Sequence, residues 1–189
     1  MNLEVLEISI KAIAVNKKLK EYKEIKELIL RSFPENEQFP MWLLRLLAIR
    51  KFVDFHAYYD GDSFCGISYT VSSKSLVFVL YLAVNDKIRS KGYGSAILQY
   101  IKSEFSGKTI VLNIEPLDVN ADNYTQRIKR FEFYLKNGFV DTKYCIVDNG
   151  DDYQILATTD NLSVEEYKSA LKKLSLGFYA PQVRKNYEA

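Results

Sequence analysis

Six residues near the middle of the chain, Arg89-Ser90-Lys91-Gly92-Tyr93-Gly94, combine two cations with two glycines. They follow an apolar run, Leu76 to Val84, and precede apolar residues at helical spacing. That order reads as a strand handing over to a helix. Glycine at such a junction allows a tight turn and lets a ligand approach the backbone amides. The first helical turn adds N–H groups without intrahelical acceptors and a partial positive charge. The chemistry favoured is an anion site, suited to phosphate or pyrophosphate. An ordinary glycine-containing turn without a ligand fits the same six residues. Two well-known phosphate loops do not fit. A Walker loop needs GxxxxGK[ST], which is absent. A dinucleotide fingerprint needs a third glycine where Ile97 stands.

Other reactive residue types are sparse. Cys65 and Cys145 sit in apolar, strand-like surroundings, with no metal-ligand spacing and no CxxC. Neither has a neighbouring histidine, a charged partner or a helix N-terminus beside it in sequence, so a covalent thiol route is not expected. No metal is expected. The single histidine, His56, lies within KFVDFHAYY and reads as structural.

Positioning these residues requires an ordered set of elements. A β-rich segment spans residues 4 to 15. LKEYKEIKELILRSF (19–33) places Leu19, Tyr22, Ile25, Ile29 and Phe33 on one helical stripe, stopped by Pro34. PENEQFP is a polar loop, and MWLLRLLAIR (41–50) a short apolar helix. Three strands follow, KFVDFHAYY, SFCGISYTV and SLVFVLYLAV, joined at DGDS and SSKS. The third is apolar on both faces, as a central strand should be. A helix over 93–105 presents Ile97, Leu98, Ile101 and Phe105 inward, and TIVLNIEP is another central strand. TQRIKRFEFYLKNGF is a helix with its stop signal at Asn137-Gly138. A final hairpin turns at DNGDD. A last helix, 163–174, starts at Ser163 with Glu166 three residues on. A meander followed by βα units implies an α/β fold with a mixed, largely antiparallel sheet and helices on both faces.

Composition bounds the function classes. The 189 residues are 48% hydrophobic and 26% charged, which is globular and too apolar for disorder. The net charge of +2 lacks the basic excess that nucleic-acid binding usually requires. No stretch approaches the length of a membrane span, and the N-terminus lacks a basic leader region. A cytoplasmic protein is expected, with neither nucleic acid nor membrane as partner. One domain is expected over 1–189, with a core over about 1–158 and a helical extension over 161–189. The apolar segment LSLGFYAP is expected to cover a sheet edge or a partner. Oligomeric state, a homodimer included, stays open.

The six-residue motif resembles the R/Q-x-x-G-x-G/A signature of the GCN5-related N-acetyltransferases, the GNAT superfamily. A second stretch, Phe133-Tyr134-Leu135-Lys136-Asn137-Gly138-Phe139, is similar to the FYxxxGF at the end of that family's last core helix. The element order over roughly residues 1 to 158 is also similar. The resemblance implies a sheet that splays between its fourth and fifth strands to admit acetyl-CoA as co-substrate. Leu82, Ala83 and Val84 would then face the pantetheine and thioester, and the amides from Arg89, Ser90, Lys91, Gly92, Tyr93, Gly94 and Ser95 would hold the pyrophosphate. The Tyr93 side chain itself reads as surface filler.

The same resemblance makes Tyr134 the general acid that protonates the departing CoA thiolate, a reasonable task for a phenol protonated at neutral pH. Glu115, at the end of the fifth strand, becomes the candidate base, or else a carboxylate paired with an arginine. Glu35 and Glu37 would border the acceptor cleft and attract a cationic amine, with Trp42, Phe33 and Phe39 as possible lining. One departure matters: many relatives carry asparagine seven residues before the tyrosine, where this chain has Arg127, with Arg130 a turn later. Either arginine could approach CoA phosphate or substrate. Asn120 and Asn123 lie too early to take that asparagine's position. The implied function is direct acetyl transfer to an amine of a small molecule, peptide or protein. The alternative is an acyl-CoA-binding sensor or scaffold without catalysis.

Overall fold

The computed structural model describes residues 8–88, 91–148 and 150–185. Eight described strands form one sheet in the order β1-β2-β3-β4-β5-β7-β6-β8. The chain divides into two compact units, residues 1–69 with 81–104 and residues 70–80 with 105–189.

In the first unit, β1 (Ile10–Ala14) runs antiparallel to β2 (Val53–Asp60), with Ile10 opposite Asp60 and Ala14 opposite His56. Between them come α1 (Tyr22–Ser32) and α2 (Met41–Leu47). The buried face of α1 is Ile25, Leu28 and Ile29, so Leu28 joins the expected stripe and Leu19 precedes the helix. Leu44 and Leu47 are the buried face of α2. Gly61, at φ +56°, turns β2 into β3 (Ser63–Ser72). The last part of β4 (Leu76–Val84) and α3 (Tyr93–Glu104) complete the unit. Ile97, Leu98 and Ile101 are buried as their spacing predicts. An aromatic chain runs Phe55–Tyr69–Tyr81–Phe33, with ring centroids 5.3, 6.3 and 4.5 Å apart. It carries sheet residues to the C-cap of α1, Phe33.

In the second unit, β5 (Thr109–Ile114) pairs parallel with β4, with Leu76 opposite Thr109 and Val79 opposite Leu112. β6 (Val140–Asp148) and β7 (Asp151–Ala157) form the expected hairpin, and β7 pairs antiparallel with β5. The core gathers Leu76, Phe78, Val111, Ile155 and Ala157 from the strands with Tyr167, Ala170 and Leu171 of α5 (Val164–Leu174). Ser163 caps α5 by accepting from the Glu166 amide. The Glu166 carboxylate in turn accepts from the Ser73 hydroxyl at 2.7 Å. The segment after residue 161 holds this expected helix and also a strand, β8 (Gln182–Lys185), paired antiparallel with β6. The remaining helix, α4 (Tyr124–Lys136), leads into β6 through Asn137 and Gly138.

Among the described residues, no helix is long and apolar enough to cross a membrane.

Candidate functional site

The predicted cofactor residues cluster in the first unit. Leu82 and Val84 are half-buried and Ala83 is buried at the end of β4. Gly66 on β3 lies directly against this stretch. A Cβ there would meet the Ala83 carbonyl oxygen at 2.3 Å and the Val84 Cα at 3.1 Å, so only glycine fits. After Val84 comes a single 3-10 turn, Asp86–Ile88. Arg89 and Ser90 lie outside the described residues. Lys91 is exposed, and Gly92 has φ +84°, a left-handed conformation that favours glycine. α3 then begins at Tyr93, and the Ala96 amide donates to the Gly92 carbonyl at 3.0 Å. The amides of Tyr93, Gly94 and Ser95 therefore precede the first intrahelical bond and have no acceptor in their own helix. This is the local geometry an anion needs.

Tyr93 corrects one reading. It is not surface filler: its side chain is buried and its hydroxyl donates to Asp60 at 3.0 Å. That hydrogen bond and burial both raise its pKa.

Glu35 and Glu37 form the 3-10 turn Glu35–Glu37, with Glu35 exposed and Glu37 half-buried. The Tyr81 hydroxyl fastens this loop to β4. It donates to the Glu37 carbonyl and accepts from the Phe39 amide at 3.0 Å. From the other side, the Gln38 amide group donates to the Phe33 and Leu30 carbonyls of α1 at 2.7 and 3.0 Å. Trp42 and Phe39 are exposed, and Phe33 is half-buried against Tyr81.

The second unit carries the predicted acid, Tyr134, on α4 and the predicted base, Glu115, just after β5. Tyr134 is the buried residue of α4. Its backbone shows why the FYLKNGF stretch has its form. The Gly138 amide donates to the Leu135 carbonyl at 2.9 Å, and the Phe139 amide to the Tyr134 carbonyl at 3.1 Å. With Gly138 at φ +73°, this is a Schellman cap whose apolar clasp is Tyr134 against Phe139, ring centroids 5.6 Å apart. The cap fixes the Tyr134 ring between Phe133 and Phe139. Burial pushes its phenol up to about 12, while the Arg130 charge draws it slightly down.

Glu115 is held on several sides. Asn123 Nδ2 donates to its Oε1 at 3.1 Å, Arg127 Nη2 lies 3.1 Å from the same oxygen, and Arg130 Nη1 donates to Oε2 at 2.6 Å. Arg127 also reaches the Asn123 Oδ1 at 2.7 Å and the Pro116 carbonyl at 2.9 Å. Desolvation raises the Glu115 pKa, but the Asn123 hydrogen bond and the two arginines outweigh it, and the carboxyl sits below its ordinary value. Sequence reasoning singled out Glu115, Arg127 and Arg130 separately; the helical turn that brings both arginines to one carboxylate is the added information. Asn123 enters this network from just before α4.

His56 is half-buried, edge-on to Tyr58. Cys65 is buried, and burial raises its thiol pKa. Cys145 does have a charged neighbour: the Arg184 Nε donates to its sulfur at 3.3 Å, a contact made by the unforeseen strand β8. Among the described residues, no group of three His, Cys, Asp or Glu could hold a metal ion.

No protein-family model matches the chain, and no curated protein matches it. Solved structures do. One is described as an acetyltransferase of the GNAT family from Bacteroides thetaiotaomicron, 22% identical, with a TM-score of 0.69 over 89% of this chain and 99% of that one. An aminoglycoside 6'-N-acetyltransferase complexed with coenzyme A is 17% identical, with a TM-score of 0.60 over 81% and 98% of the two chains. A ribosomal-protein alanine N-acetyltransferase from Escherichia coli is 13% identical, with a TM-score of 0.57 over 83% and 97%. The mixed sheet with its parallel β4–β5 pair is the fold of the GNAT acetyltransferases.

Proposed function

We propose that this protein is an acetyl-CoA-dependent N-acetyltransferase acting on an amine by direct attack. The observation that carries the proposal is the α3 start. A left-handed glycine and helix amides without intrahelical acceptors follow the central strand of a fold used for acetyl transfer. In this reading Leu82, Ala83 and Val84 hold the pantetheine arm. The amides of residues 89–95 hold the pyrophosphate.

The neutral amine attacks the thioester carbonyl, forming the C–N bond. Collapse of the tetrahedral adduct breaks the C–S bond, and the electron pair leaves on sulfur. Tyr134 gives its phenolic proton to that thiolate. A phenol pushed up to about 12 is fully protonated at neutral pH, so the proton is always present. The nitrogen must also lose a proton. Glu115, ionised and clamped by two arginines, has low basicity. We assign it the task of fixing Arg127 and Arg130 on α4, with the amine proton passing to water. Glu35 and Glu37 stand on the acceptor side as attractors of a cationic amine. No metal takes part. One domain carries the activity, and the working compartment is the cytoplasm.

The neighbours' acceptors differ, an aminoglycoside in one and a ribosomal-protein alanine in another. The proposal here names an amine and no narrower class. Its test compares wild type with Tyr134→Phe. The variant should bind acetyl-CoA as wild type does and lose most turnover. Equal turnover would remove Tyr134 from the acid role. Tight acetyl-CoA binding with no turnover in wild type would favour a sensor.

A further inference from the structure

A buried tyrosine hydroxyl normally finds a hydrogen-bond partner. Those of Tyr58, Tyr59, Tyr69, Tyr81, Tyr93 and Tyr167 all do. Tyr134, only 9% exposed, has none among the described residues. Nor is its oxygen sealed in: among the described residues, the fully buried side-chain oxygens without a partner are those of Thr70 and Tyr179. A similar contrast separates the two arginines earlier on α4. Arg127 uses all three nitrogens, Nε on Asn123, Nη1 on the Pro116 carbonyl and Nη2 on Glu115. Arg130 uses only Nη1, on Glu115 at 2.6 Å, and its side chain is 34% exposed against 18% for Arg127. Its Nε and Nη2 have no partner among the described residues. Residues four apart on a helix are side-chain neighbours, and helical side chains lean toward the N-terminus. Tyr134 therefore leans toward Arg130, whose charge acts on its phenol. Two guanidinium groups on one carboxylate leave a net positive charge one turn from an unpartnered hydroxyl. The ligand that suits such a pair of donors is an anion.

We infer that Arg130 is a second catalytic residue, which receives the departing CoA thiolate together with Tyr134. This deepens the acetyl-transfer reading above and rests on it. When the C–S bond breaks, the electron pair goes to sulfur. An unpartnered Arg130 N–H donates a hydrogen bond to that sulfur, and the phenolic proton of Tyr134 moves to it. The guanidinium then faces the phenolate left behind, until the proton lost by the amine, carried by water, restores the phenol. Glu115 has a defined part in this. It holds Arg130 by one nitrogen and leaves the others to the thiolate.

The test needs no acceptor. It measures the dissociation constants of the full chain for CoA and for desulfo-CoA, which lacks the thiol, between about pH 6 and about pH 9.5, a range that spans the ionisation of an ordinary thiol. The two ligands carry the same phosphates, so their ratio isolates the sulfur. A site that stabilises the thiolate lowers the pKa of the bound thiol, and CoA then gains on desulfo-CoA as pH rises. Glu115 is held below its ordinary value and Tyr134 is pushed up to about 12, so neither titrates in this window. Wild type should gain about tenfold in its preference for CoA across the range, the size of one charge-assisted hydrogen bond. Arg130→Gln should hold that gain to within about twofold. Arg130→Lys keeps a charge for Glu115, and the fold with it, but has no second edge to offer, so its gain should also fall, by about threefold. The full gain in both Arg130 variants, or no gain in wild type that binds both ligands, would overturn the role of Arg130. A gain lost in Tyr134→Phe yet kept in Arg130→Gln would overturn it too, leaving the thiolate to the tyrosine alone. Failure of wild type to bind either ligand would instead remove the acetyl-CoA site itself, and the role of Arg130 with it.

Discussion

At the scale of single residues, the account rests most on Tyr134 and Glu115. Burial shifts the Tyr134 phenol up, so its acid form persists well past the usual tyrosine range. Turnover should therefore show no decline between about pH 8 and about pH 10, where an ordinary phenol begins to ionise. A pH–rate profile checks this, and a decline centred near the ordinary tyrosine value would contradict it. Glu115 titrates in the opposite sense. Its folded pKa is depressed, so its stabilising contribution is present above the unfolded value and is lost as pH falls through the folded one. Glu115→Gln should cost about 1 kcal/mol at neutral pH, after allowance for solvent screening. The difference between variant and wild type should shrink below about pH 4. Denaturant melts at two pH values would show it.

The sequence made the residue types visible but not their partners. RSKGYG and FYLKNGF announce a tight turn and a helix stop because glycine at those spacings has few other uses. Nothing local says that Tyr93 will reach Asp60, a residue 33 positions away. Nothing local marks Gly66 either. Its role comes from the close approach of β4, which only the folded sheet creates.

At the scale of elements, periodicity located all five described helices and the strands up to β7. The misses have physical reasons. β8 is four residues, QVRK, with no apolar alternation; it forms because β6 offers an unpaired edge. β6 itself carries a register shift between Asp141 and Cys145, where Lys143 adopts φ +63°. A bulge of this kind has no pattern signature. Two predictions belong here. Gly138→Ala places a Cβ in a left-handed conformation and should cost about 1 kcal/mol. Because the same cap clasps Tyr134 against Phe139, turnover should fall with it, whereas Gly107→Ala, also left-handed but at the end of α3, should cost similar stability and spare turnover. Tyr81→Phe removes the tie between β4 and the loop around Glu37. It should raise hydrogen exchange at the Phe39 amide, with that of the β5 amides unchanged.

At the scale of the whole molecule, the chain adopts the fold of the GNAT acetyltransferases while sharing at most 22% identity with the structures compared above. Within that fold this chain places a parallel β4–β5 pair, a glycine-bearing helix start and a capped helix with a buried tyrosine. The departure at Arg127 and Arg130 also has a physical form, two guanidinium groups on one carboxylate. The most direct measurement is release of the CoA thiol from acetyl-CoA by the full chain across amines, peptides and aminoglycosides, with mass detection of the acetylated acceptor. The account predicts stoichiometric thiol and acetylated amine with one acceptor class. Absence of both across the whole panel, with no binding of CoA, would contradict it.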